Sequence, residues 1–362
     1  MDLSNEYQCL HEFVKAARTR LNPNIWDYLI GATESETTMK RNRLALDMLG
    51  FKPRVLRDVS KIEATGSFLD RKLRLPVLLA PVGSLESFDP GAGVTVAKAC
   101  EMFGCGMLLS SVTTVEMERV AKSSSALKVY QLYVRGDDKW VAERVQRAVD
   151  CGFDAFCITV DTAVYSRRER DIAKRFIKSW RANATGQDFQ AAFAWDNVKR
   201  VRERFPDVKL MLKGINTAED ATMACDMGVH TVYVSNHGGR QLDHGRGSLD
   251  AMREVVGAIG GRAKIVMDGG ISRGTDVVKA IALGADAVGI GRLYCYGLAV
   301  AGAEGVVRVL ELLEEEVKEC LGLLGLDSLS KVDPSYLCPA SPVVLPHVHS
   351  AFPLLNLQDE GY

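Results

Sequence analysis

Between residues 76 and 290 the chain repeats one alternation: a short apolar run, then a helical stretch, then another apolar run. The runs lie near 76–80, 107–110, 128–133, 155–160, 209–213, 231–235, 264–267 and 286–290, and they are rich in Val, Ile, Leu, Tyr and Met. Continuous apolar runs of this length read as strands buried on both faces. Stretches such as 94–100 and 276–281 between them have helical character. Eight such units predict an α/β fold, a (β/α)8 barrel, whose usual length of about 250 residues suits residues 76–310. Runs four and five start at 155 and 209, so an insertion is expected between about 165 and 200. That position, after strand 4, suits a lid over the barrel mouth. Residues 1–70 form an N-terminal helical segment, 71–330 the barrel and 331–362 a Pro-containing tail. Glu12–Ala17 reads as one helix and Pro23 as the start of another that carries Trp26 and Tyr28.

Composition narrows the function classes. A net charge of -1 gives no electrostatic basis for nucleic acid or an anionic membrane surface. The nine cysteines include no C-x-x-C pair and read as reduced packing residues, with no metal cluster among them. No apolar run reaches the roughly 18 residues of a spanning helix, and the N-terminus lacks signal-peptide character. A cytoplasmic protein is expected.

In a barrel of this kind, chemistry collects where the strands end. The sixth run releases Ser235-Asn236-His237-Gly238-Gly239-Arg240-Gln241, which sets a base and a fixed cation in a tight turn. A lone histidine in such a loop can equally be a packing residue. The other strand ends contribute Ala80–Gly83, Ser110-Ser111, Gln131–Tyr133, Thr159–Thr162 with Arg167-Arg168, Lys213-Gly214, Asp268–Gly270 and Gly289–Arg292. Polar groups from nearly every strand thus converge on one rim. The last two loops pair bare backbone N–H groups with Arg292, which predicts a phosphorylated ligand or cofactor.

These motifs resemble the FMN-dependent α-hydroxy-acid oxidase/dehydrogenase family, over about residues 6–330. The resemblance implies noncovalent FMN and oxidation of an L-2-hydroxy acid to the 2-keto acid. It assigns His237 as the base, Asp161 as its carboxylate partner, and Arg168 and Arg240 as the grip on the substrate carboxylate. Tyr28 and Tyr133 match two substrate-site tyrosines, and Tyr133 is counted with His237, Asp161 and Arg240 in the catalytic group. The backbone of Pro81, Val82 and Gly83, with Ser110, Gln131 and Thr159, would hold the isoalloxazine. Lys213 would stand near flavin N1, Asp268 at the ribityl chain, and Gly270, Gly291 and Arg292 at the phosphate. Two electrons would pass to flavin N5, with oxygen or another acceptor reoxidising it. The resemblance also implies a homo-oligomer, tetramer or octamer.

Several positions depart from the family pattern. Ala163 and Ser166 replace a common proline and glycine at the entry to a lid shorter than usual, and Ser272 replaces an arginine after the Gly-Gly turn. Val112 and Gly83 replace larger residues, which suggests a substrate bulkier than glycolate. A bulky or peptide substrate, a different FMN barrel enzyme and a catalytically silent flavin protein remain open alternatives. The tail is expected to be disordered or to reach a neighbouring subunit.

Overall fold

The computed structural model describes residues 3–177 and 184–357. Eight parallel strands close a barrel: β1 (Val77–Leu79), β2 (Gly106–Ser110), β3 (Leu127–Leu132), β4 (Ala155–Thr159), β5 (Leu210–Ile215), β6 (Thr231–Val234), β7 (Lys264–Asp268) and β8 (Ala287–Ile290). Each neighbours the next in sequence, and β8 closes on β1 with Val288 opposite Val77. The eight apolar runs are these eight strands. Nearly every residue in them is buried, because helices cover the outer face and side chains fill the interior.

The interior is packed, with Leu78, Leu108, Val129, Cys157, Met211, Tyr233 and Val266 among its side chains. A short hairpin, Gly66–Phe68 with Arg71–Leu73, adds Phe68, Leu69 and Leu73 to that cluster beside the strand starts Leu127, Ala155 and Ala287. This plug closes the end opposite the strand C-termini, so access is from the rim alone.

Three helices precede the barrel: α1 (Leu10–Arg20), α2 (Pro23–Ile30) and α3 (Thr37–Asp47). The start of α2 is written locally: Pro23 occupies its first turn and the Asn22 side chain accepts from the backbone N–H of Asn24 and Ile25. The last helix, α4 (Arg292–Leu324), is broken at Ala301–Gly302. By length and apolarity α4 could span a membrane, yet 67% of its most apolar window is buried in the protein. It is a core helix, packed along α1.

The lid region contains two short helices, Glu169–Ala173 and Gln187–Ala192. Residues 178–183 of the expected lid lie outside the described residues. The described part of the tail, expected to be disordered or to reach a neighbouring subunit, is ordered and packs on its own chain. Leu337–Pro339 pairs antiparallel with Leu49–Phe51, and Phe352 and Leu355 are buried.

The N-terminal helices are pinned to the barrel by a buried ion pair. Arg43 of α3 makes two bonds to Asp276, at 2.7 and 2.8 Å, with both side chains almost fully enclosed. Replacing Arg43 by Met is therefore expected to strand a buried carboxylate and to cost about 3–5 kcal/mol in denaturant unfolding. Arg43→Met/Asp276→Leu, which removes both charges, is expected to recover most of that loss.

Candidate active site

The strand ends, α2, α3, the lid and the tail enclose one large cavity of about 380 Å³, within the range of small-molecule sites. His237 stands in its wall. Its Nδ1 lies 3.1 and 3.2 Å from the two carboxylate oxygens of Asp161, and Nε2 lies 3.2 Å from the Tyr133 hydroxyl. A carboxylate only accepts, so Nδ1 carries the proton and Nε2 presents a lone pair to which Tyr133 donates. Burial holds the imidazole below its ordinary pKa; Asp161 pulls the other way, and nearby Lys213 adds to the lowering. Asp161 itself would be raised by burial, but the imidazole and Lys213 outweigh this and keep it below the usual carboxylate range. Gly214 makes the approach possible: at φ +113° a Cβ there would sit 2.6 Å from the Cβ of Asp161.

The loop that carries His237 is held from several directions. Ser235 Oγ accepts from Lys213 Nζ at 2.8 Å, donates to Asp268 at 2.6 Å and accepts from the His237 N–H at 3.0 Å. Asn236 and Asn42 of α3 exchange side-chain bonds of 2.7 and 2.9 Å, and Asn236 also accepts from the Gly239 N–H. Asp243 accepts from the backbone of Ser35 and Thr38. His237 sits at φ +62°, a left-handed conformation that a non-glycine residue keeps only when its surroundings fix it. At Gly239, a Cβ would meet the backbone of Met39 at 2.5 Å, so α3 presses directly on the turn.

Two guanidinium groups share the cavity. Arg240 donates to the carbonyls of Tyr28 and Gly31, both at 2.7 Å, and lies over the Tyr28 ring. Burial, helped by the nearby Arg168 charge, pushes its pKa down to about 10. Arg168 is buried over the Tyr165 ring, and its Nε finds no partner among the described residues. A buried cation without an anion, close to a second cation, makes a site that anions fill at low cost.

Pro81, Val82, Gly83, Lys213, Asp268, Gly270, Gly291 and Arg292 all line the cavity, as do Tyr28 and Tyr133. Asp161 stands behind His237. Ser110, Gln131 and Thr159 are buried at neighbouring strand ends and do not line it; Gln131 Nε2 donates to Thr159 Oγ1 at 2.8 Å, and Gln131 Oε1 has no partner among the described residues. Asp268, expected at a ribityl chain, spends one oxygen on Ser235 and sets the other 3.5 Å from Lys213. Gly83 and Val112 both line the cavity, but a Cβ on Gly83 would come within 3.2 Å of Val112, so valine takes up part of the room that glycine leaves. Ser166, at the lid entry, donates to the Arg240 carbonyl, a bond no glycine could make.

Residues 17–339 match the profile of the family described as FMN-dependent dehydrogenase. The chain belongs to that family. It is 37% identical to an L-lactate oxidase of Nostoc sp., over 91% of this chain and 97% of that protein. It is 35% identical to glycolate oxidase 1 of Oryza sativa subsp. indica, over 90% and 94% respectively. Its fold is similar to that of a mandelate oxidase variant solved with benzaldehyde, with a TM-score of 0.86 and 36% identity over 93% of this chain and all of that one. As a member of this family the chain is an FMN-dependent 2-hydroxy-acid oxidase or dehydrogenase.

Its residues fit FMN. The buried cation Lys213 in the cavity wall suits a polar ring edge, and the glycine at 291 leaves space that a side chain would fill, its nearest neighbour being 4.0 Å from a built Cβ. Sequence reasoning missed Ser235 and Asn236 as loop anchors, although both stand in the motif that drew attention to His237. Asn42 and the tail residues His347, Val348 and Phe352 carry no sequence signal at all, yet all four line the cavity.

The two arginines are expected to separate in a stability test. Arg168→Met removes an uncompensated buried charge and should leave the denaturation midpoint unchanged or raise it. Arg240→Met strips the donor from two carbonyls and should lower the midpoint, by roughly 1–3 kcal/mol in free energy.

Proposed function

We propose that this family member oxidises an L-2-hydroxy acid to the 2-keto acid with His237 as the base. The observation that carries this reading is the Nε2 lone pair of His237, fixed by Asp161 on one side and set in the same cavity as two arginines. In this reading the substrate carboxylate lies between Arg168 and Arg240, whose planar donors suit a bidentate anion. His237 Nε2 takes the proton released as the substrate is oxidised, and Asp161 stabilises the imidazolium that results. Tyr133 donates a hydrogen bond at the same nitrogen before the proton arrives and to a substrate oxygen afterwards. Bound FMN supplies the two-electron acceptor. Pro81–Gly83 and Lys213 would hold its ring system, with Asp268 at the ribityl chain and Gly270, Gly291 and Arg292 at the phosphate. Oxygen as the final acceptor is supported by the oxidase names of the relatives.

The acid itself is read as larger than glycolate, because Gly83 and Val112 together still present a small apolar wall. A cytoplasmic homo-oligomer completes the proposal, and nine free thiols suit a reducing compartment.

Anaerobic addition of glycolate, lactate and mandelate to the yellow protein tests both parts. Flavin bleaching by lactate or mandelate at lower concentration than by glycolate is expected. Clear glycolate preference would overturn the size argument, and a flavin that no hydroxy acid bleaches would overturn the activity. His237→Ala should lower kcat by at least about a hundredfold.

The pH profile has a defined sign. A base must be neutral, so kcat/KM should fall as pH drops through the lowered pKa of His237, below the ordinary histidine value. Asp161 raises that pKa, so Asp161→Asn should move the acid limb to still lower pH while reducing the plateau rate.

A further inference from the structure

The family profile ends at residue 339, but the protein continues to build the cavity beyond it. After Pro339 the chain runs exposed through Val343 and Leu345, bracketed by Pro342 and Pro346, and then descends onto the rim. His349 anchors the descent: it is fully buried, stacks on Trp26 of α2 at 5.6 Å and lies 2.9 Å from the Tyr296 hydroxyl of α4. Phe352 is a second anchor, 1% exposed and edge-on to His11 of α1. His347 and Val348, just before the first anchor, and Phe352 form part of the cavity wall together with Ser272, Arg292 and Tyr296. Tyr296 stands one helical turn beyond Arg292, so this wall belongs to the end of the cavity where β7 and β8 finish.

His347 has a donor to spare. The His349 backbone N–H donates to His347 Nδ1 at 3.2 Å, so in the neutral ring the proton sits on Nε2. No hydrogen-bond partner for Nε2 is found among the described residues. Other side chains at this end are already engaged. Arg43 is committed to Asp276 and Asp47, Arg273 to Glu316, and Arg292 donates to the carbonyls of Leu29, Gly31 and Gly238. Ser272 is uncharged and its hydroxyl turns to the Gly270 carbonyl. A phosphate dianion at this end needs donors, and His347 Nε2–H adds one to those that the Gly270 and Gly291 backbone and Arg292 would supply.

We propose that the C-terminal tail is a clasp over the phosphate end of the FMN site and that His347 Nε2–H donates to the cofactor phosphate. The role is one of binding and positioning, independent of which acid is oxidised. FMN and riboflavin differ only in that phosphate, and so they separate this contact from general damage to the pocket.

Flavin fluorescence quenching on titration of the apoprotein with each flavin is the measurement. His347→Ala is expected to weaken FMN about tenfold or more, the loss that accompanies one hydrogen bond to a charged group, and to leave riboflavin binding unchanged. His347→Gln, which keeps an N–H, should recover part of the FMN affinity. Equal weakening of both flavins, or of neither, would overturn the phosphate contact. Phe352→Ala loosens the anchor and is expected to speed release of both flavins; unchanged release rates with the folded far-ultraviolet spectrum retained would overturn the clasp.

Discussion

One hydroxyl group, Oγ of Ser235, touches a lysine from β5, an aspartate from β7 and the backbone of His237. Each of these contacts answers a physical need. Lys213 is a fully enclosed ammonium and requires polar partners; Asp268 is a buried carboxylate and requires donors. The backbone of His237 is held in a left-handed turn and requires restraint. Serine at the end of β6 serves all three with a group that both donates and accepts. Remove it and the lysine, the aspartate and the histidine lose their common point of reference, although no bond to a reacting atom has been touched.

The remaining electrostatics follow from enclosure. Inside a closed rim, charges are worth more than in water because little solvent screens them. The protein uses this in opposite senses on the two sides of His237. Asp161 provides compensation for the proton that the imidazole would gain, while Arg168 and Arg240 have no carboxylate partner among the described residues. An arrangement of this kind pays for recognition with stability, since the arginines repel one another until an anion arrives.

Much of the fold could be read because its signal is local. A strand covered on both faces needs an uninterrupted apolar run, and the runs at 128–133, 155–160 and 231–235 show it without any partner being known. The His237 loop was legible for a similar reason: its base, glycines and arginine are contiguous. Asn42 was not, because its role exists only opposite Asn236, 194 residues away, and a single polar residue on a helix leaves no periodic mark. Ser110, Gln131 and Thr159 were placed at the right strand ends, but residue type could not reveal that Gln131 bonds to Thr159 and that none of the three lines the cavity. The order of the tail was not legible because its prolines read as loose chain, whereas its hold depends on Trp26 and Tyr296 as stacking and hydrogen-bonding partners. Likewise the small residue at 83 suggested space that only the position of Val112 could qualify.

The grip of α3 on the histidine loop has a consequence for how the protein fails. Asn42, Thr33 and Ser35 restrain a turn about two hundred positions further along the chain, so the N-terminal segment is a keystone laid first and locked last. Barrel strands pair with their sequence neighbours and can form without it, but the turn cannot keep its strained shape until the helices dock. Under mild heating or denaturant, fraying of those helices would loosen the histidine while the eight-stranded frame still stands. Catalytic competence then becomes the most sensitive gauge of the native state, lost ahead of any optical sign that the barrel has opened.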